Sequence, residues 1–90
     1  MEYQWDQAKA VANLKKHGVA FSDAALALED PRALTMADPD SIDESRLVCL
    51  GADPNGRVLI TVFAPRGRAI RIISSRKASR SERRPYEKMR

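Results

Sequence analysis

What the sequence has little of narrows the reading first. It carries one cysteine, Cys49, which excludes an internal disulfide and any thiolate metal cluster and, lying in an apolar stretch, reads as a core residue of a reducing compartment. Aromatic residues make up 6% of the chain, with Trp5 the sole tryptophan, read here as a core anchor beside the first helix, and His17 the sole histidine. No apolar run approaches the roughly 18 residues of a membrane span, and the longest, Val58 to Ala64, is far shorter. The opening residues Met1-Glu2-Tyr3-Gln4 lack the basic and apolar regions of a signal peptide, so a cytoplasmic protein with no membrane partner is expected. Carboxylates are abundant between Glu29 and Glu44, yet no calcium-loop register with its turn glycine is present there. Neither a metal nor another cofactor is expected.

Acidic residues are almost absent from the C-terminal end. Residues 1–65 carry six Lys/Arg against ten Asp/Glu, and residues 66–90 carry ten against two. A net charge of +4 therefore hides a strongly basic end, the electrostatic footprint of a polyanionic partner, against which stands the plainer reading of a solvated helix face. The 90 residues, 43% hydrophobic and 31% charged, suit a single folded domain over 1–90.

Local signals order the elements. Tyr3-Gln4-Trp5 suits a first strand, and Asp6 then caps a helix from about Gln7 to Lys16 that Gly18 ends in the left-handed conformation. Ala8, Val11, Ala12 and Leu14 form the apolar stripe of that helix, and Lys9, Asn13, Lys16 and His17 share the other side. Ser22 is a candidate cap for a short alanine-rich second helix from Asp23 to Leu28, ended by Pro31. Leu34 to Ala37 reads as a short strand in an acidic, solvated segment. Arg46 to Ala52 and Arg57 to Ala64 are strands joined by the hairpin turn Asp53-Pro54-Asn55-Gly56, and the second, apolar on both faces, belongs in mid-sheet. A turn over Pro65 to Arg68 leads to a third strand, Ala69 to Ser74, completing an antiparallel meander. Ser79 and Glu82 have capping-box spacing for a last helix, which Pro85 would cut unless the helix starts nearer Ser81. The expected class is α+β: an antiparallel sheet of four to five strands, two N-terminal helices and a C-terminal helix.

The segment Arg68 to Tyr86 carries the strongest functional signal. Ile70, Ile72 and Ile73 belong in a strand on a core, so Arg71 among them needs an ion pair, to Glu44 or Asp53, or else a phosphate. Arg71 and Arg76 flank the expected junction of strand and helix at Ser74-Ser75, while Arg46 and Arg57 open the neighbouring strands. A cluster of arginine forks suits phosphate charge but cannot serve as a base. His17 is the side chain whose ordinary titration range spans neutrality, with Lys16 beside it, although a histidine at a helix end also has a structural reading.

Trp5-Asp6, Asn13 to Val19 followed by Phe21, Glu44 with Arg46, Gly51, Gly56-Arg57, Arg71 to Ala78, Glu82-Arg83 and Tyr86, in this order and spacing, resemble the BrnT family of bacterial toxins over nearly the whole chain. The resemblance implies a RelE-like fold and a ribonuclease that inhibits translation. It also implies neutralisation by a BrnA-like antitoxin with a ribbon-helix-helix domain, through which alone operator DNA is engaged. On that reading Arg46, Arg57, Arg71 and Arg76 hold the scissile phosphate, and His17 or Lys16 moves protons in a cleavage that needs no metal. Lys9, Lys16, Lys77, Arg80, Arg83, Arg84 and Tyr86 are candidates to bind RNA, and Arg80, Arg83 and Arg84 equally suit an acidic antitoxin segment. A non-catalytic binding module, or an inactive toxin kept for operon control, would use the same basic end.

Overall fold

The protein, described by a computed structural model over residues 1–41 and 45–88, is α+β. Its elements run β1 (Glu2–Gln4), α1 (Gln7–His17), α2 (Phe21–Leu28), β2 (Leu34–Ala37), β3 (Leu47–Ala52), β4 (Val58–Arg66), β5 (Ala69–Lys77) and α3 (Arg80–Lys88). The sheet order is β1-β5-β4-β3-β2, which puts the doubly apolar β4 at the centre as its composition requires. From β2 to β5 every pairing is antiparallel; β1 adds to β5 in parallel, so the complete sheet is mixed. Among the described residues no helix is long and apolar enough to cross a membrane.

One sheet face is covered by helices. Phe21, Ala24 and Ala25 of α2 pack on Ile72, with Tyr3, Trp5, Ala10 and Leu28 around them, and Val19 and Ala27 close over Leu59. The Trp5 and Phe21 rings meet edge to face with centroids 5.9 Å apart, so Trp5 is the expected anchor. The alanines of α2 let it approach closely: a Cβ on Gly51 would lie 2.4 Å from the Ala27 carbonyl oxygen. Gly51 therefore admits no side chain without moving α2 or β3. Cys49 is buried in this layer, and burial pushes its thiol up from the ordinary range.

Several local expectations hold. Asp6 accepts from the Lys9 N–H at 3.1 Å, and Gly18 closes α1 at φ 70°. Asp53 shapes the Asn-Gly turn by accepting from the N–H groups of Asn55 and Arg57 at 3.0 and 2.8 Å. Ser79 and Glu82 form a reciprocal capping box, with the Ser79 N–H donating to Glu82 at 2.8 Å and the Glu82 N–H to Ser79 at 3.2 Å.

Four expectations are corrected. The second helix starts at Phe21 rather than after Ser22, with Ala20 as an N-cap that makes no side-chain bond, because Phe21 is drawn into the core. The final helix continues through Pro85, which lies well past its first turn. The third strand of the meander does not end at Ser74 but runs to Lys77, so Arg76 is a strand residue. The largest change concerns α1. Ala8, Val11, Ala12 and Leu14 are exposed, and the buried residue is Asn13, from the side read as polar.

The reason is a strand edge. β1 pairs with β5 only as far as Arg71, leaving the edge of β5 away from β4 without a strand partner beyond that point among the described residues. Asn13 takes that place: its amide accepts from the Ser75 N–H at 3.1 Å and donates to the Ser75 carbonyl at 2.8 Å, and also to the Val19 carbonyl at 2.9 Å. Buried peptide groups must be paired, and this requirement outweighs the pull of the apolar stripe. The polar side of α1 thus lies along β5.

Candidate functional site

Among the described residues no helix is laid across the other sheet face, and its register explains which side chains meet there. Ser74 pairs with Val62 and Ile72 with Phe63, so Ile73 is an extra residue in β5, a β-bulge. In a regular strand Arg71 and Arg76, five residues apart, would project from opposite faces. The bulge corrects the parity. Arg71 pairs with Ala64 and Arg76 with Ile60, two positions on the same face of β4. Three rows result: Arg71 beside Ala64, then Ser74, Val62, Val48 and Met36, then Arg76, Ile60, Leu50 and Leu34. Four residues of β4 separate the first row from the last, about 13 Å at the rise of a strand.

Three adjoining hollows follow β5 and α1. The largest, about 430 Å³, is lined by His17, Ser74, Arg76, Asp38, Asp40 and Glu82, with Val48, Ile60 and Val62 of the sheet beneath them. A shallow middle one, about 230 Å³, lies between Lys9, Lys16 and His17 of α1 and Ile73 and Ser74 of β5. The last, about 200 Å³, gathers Lys9, Arg46, Arg66 and Arg71 around Ala64. They share residues end to end, Lys9 and Ile73 at one junction and His17 and Ser74 at the other. The side of α1 holding Lys9, Asn13, Lys16 and His17 is therefore the wall of a trough, with Asn13 as its anchor.

Arg76 is held by Glu82 in a two-pronged ion pair at 2.9 and 3.0 Å. The Arg76 guanidinium, helped by the Ser79 N–H, holds the Glu82 carboxyl down at about 2. Such a carboxylate is a poor proton acceptor near neutrality, so Glu82 aims Arg76 rather than acting as a base. Because the folded-state value is depressed, the pair stabilises fully above the ordinary value of 4.5 and the contribution is lost as pH falls towards about 2. With both side chains more than a third exposed the effect is screened and small. Acid unfolding curves of the wild type and Glu82→Gln are expected to diverge above pH 4.5 and converge near pH 2; parallel curves would exclude the pair.

Other sequence candidates sit elsewhere. Arg57 is not in the trough. Its Nε donates to the fully buried Asp53 carboxylate at 2.8 Å, one terminal nitrogen donates to the Gly18 carbonyl at 3.0 Å, and the other reaches Asp23 at 3.4 Å. The guanidinium thus pins the β3–β4 turn to the junction of α1 and α2. Asp53, proposed as a partner for Arg71, is committed to Arg57, and Glu44, the other proposed partner, lies outside the described residues. Tyr86 is buried, and its hydroxyl donates to Asp30, which also accepts from the Ala52 N–H at 2.9 Å. Burial acts to raise the Asp30 carboxyl, but hydrogen bonds from Tyr86, Ala52 and Arg32 outweigh it and leave it below its ordinary range. Tyr86 anchors α3 and offers no free ring to a base. Lys77, opposite Leu59, falls on the face away from Arg76. Arg80 and Arg84 are exposed on α3, and Arg83 reaches Glu87 at 3.5 Å.

Three contributors were missed in the sequence: Arg66, Ser74 as a wall residue and Asn13 as the anchor. Arg66 was hidden by the strong turn signal of Pro65-Arg66-Gly67, yet β4 runs through it, and the alternation Val62, Ala64, Arg66 puts it on the open face.

The chain matches a family model described as the ribonuclease toxin BrnT of type II toxin–antitoxin systems, over residues 5–82. Among solved structures it is similar to the Brucella abortus ribonuclease toxin BrnT, known at 1.1 Å. The two share 29% identity over 89% of this chain and 99% of that one, with a TM-score of 0.67. No curated protein matches it.

Proposed function

The chain belongs to the BrnT family of type II toxin–antitoxin ribonuclease toxins, and we propose that it cuts RNA without a metal, with the scissile phosphate in the cleft of His17, Ser74 and Arg76. The observation that carries this reading is the trough itself. It sets the only histidine and a series of cations along one strand, in the cleft where an extended polyanion would lie.

In this reading the ribose 2′-hydroxyl attacks the adjacent phosphorus as a base takes its proton. The bond to the 5′-oxygen breaks as an acid supplies that oxygen with a proton, leaving a 2′,3′-cyclic phosphate and a 5′-hydroxyl. Arg76, aimed by Glu82, supplies fixed positive charge to the pentacoordinate phosphorane. His17 serves proton transfer, and Ser74 can donate a hydrogen bond to a phosphate oxygen. Lys16, on the same wall, attracts the backbone. Arg57 keeps a structural task.

A toxin of this type has an antitoxin partner, and the proposed one is BrnA-like, with a ribbon-helix-helix domain that alone engages operator DNA. Its acidic segment would meet Arg80 and Arg84 of α3, which have no carboxylate partner among the described residues. Inducible expression of the chain alone is expected to arrest bacterial growth, and co-expression of the antitoxin gene to restore it. Normal growth on expression alone contradicts the reading.

A further inference from the structure

We infer that the hollow of Lys9, Arg46, Arg66 and Arg71 is a second phosphate subsite, which grips the RNA backbone away from the bond being cut. The inference rests on RNA being the substrate and adds where a second phosphate sits.

Four separate stretches of chain deliver these cations to one place: Lys9 lies on α1, Arg46 just before β3, Arg66 at the end of β4 and Arg71 on β5. Ala64, small and buried, leaves the space between them open, about 200 Å³, enough for a phosphate group and water around it. Among the described residues no carboxylate lies within ion-pair distance of any of the four. That contrasts with Arg57, Arg76 and Arg83, each of which has an acidic partner. Gathering like charges opposes folding, and Arg71 is half-buried besides, so among the described residues nothing offsets the charge that a bound anion would offset. Arginine forks from three directions match the oxygens of a phosphodiester, which is tetrahedral and singly charged.

The spacing separates this subsite from the cleft. Arg71 and Arg76 line different hollows, with about 13 Å of strand between their rows, and Arg76 is turned to Glu82. The expectation that Arg46, Arg71 and Arg76 converge on the scissile phosphate therefore gives way to two positions along one backbone. Lys9 and Lys16 flank the span between them.

The test is binding of an uncleavable decamer RNA, with 2′-O-methyl riboses throughout, measured by fluorescence anisotropy over a range of salt. Arg66→Ala changes an exposed strand-end residue, and Arg68→Ala, in the adjacent turn and outside the hollow, is the charge-matched control. Arg66→Ala should bind about tenfold more weakly and lower the slope of log K against log salt by about 0.7, the value for one phosphate contact on a single strand. Arg68→Ala should match the wild type. Equal losses in the two variants, or no loss in Arg66→Ala, overturn the subsite. So does an Arg66→Ala protein that binds RNA normally but has lost an acidic protein partner. A wild type that grips the uncleavable decamer through Arg66 yet cuts no cleavable RNA leaves the subsite standing and refutes only the nuclease reading.

Discussion

Arg76→Ala is expected to lower kcat for RNA cleavage roughly a hundredfold or more, the usual loss when one preorganised donor to transition-state charge is removed. The expectation follows from where Arg76 sits. It lies on the open face, opposite Ile60, in the cleft that also holds His17 and Ser74, and its orientation is set by two bonds to Glu82. The fold should survive, because an ion pair this exposed contributes only about 0.5 kcal/mol. A loss in kcat with little change in KM and an unchanged melting temperature would therefore mark a group acting in the transition state. Arg76→Lys should recover only part of the rate, since an ammonium keeps the charge but not the fork. Full activity in Arg76→Ala would remove the cleft from the mechanism.

Asn13→Asp should be severely destabilising. The wild-type amide donates to two carbonyls, of Val19 and Ser75, and accepts from the Ser75 N–H in a buried position. A carboxylate of the same shape keeps the acceptor and loses both donors, bringing negative charge against two carbonyl oxygens. The cost is about 3 kcal/mol or more, a large share of the 5–15 kcal/mol typical of a domain. For a chain of this size that lowers the melting temperature by about 12 °C or more, to be read by circular dichroism. The functional consequence follows from the same bonds, because they hold Lys9, Lys16 and His17 against β5. A melting temperature equal to the wild type would show that α1 is seated by other contacts.

The sequence made the chemistry legible better than the geometry. Charge asymmetry pointed to a polyanion, and residue-level signals at Asp6, Gly18, Asn55-Gly56 and Ser79 with Glu82 located turns and caps, because each depends on a neighbour within a few positions. Three features lay beyond such local signals. The bulge at Ile73 carries no mark, since a β-branched residue looks alike whether paired or extra, yet it decides that Arg71 and Arg76 share a face. Helical periodicity found both sides of α1 but assigned the core to the wrong one. What Asn13 must satisfy is a strand edge 62 residues away in sequence. Arg57 and Arg71 both stood next to hydrophobic runs, and only the fold separates them: one is bound to Asp53 and Asp23, the other faces an open hollow.

The most direct test of the central claim is cleavage of an end-labelled RNA by the purified protein, freed of any antitoxin, in the presence of EDTA, with the chemistry of the new ends determined. The account predicts cleavage that persists in EDTA and leaves a 2′,3′-cyclic phosphate upstream and a 5′-hydroxyl downstream. It also predicts that Arg76→Ala slows it and Arg68→Ala does not. Cleavage that requires added divalent cation, or that leaves a 3′-hydroxyl and a 5′-phosphate, would contradict it.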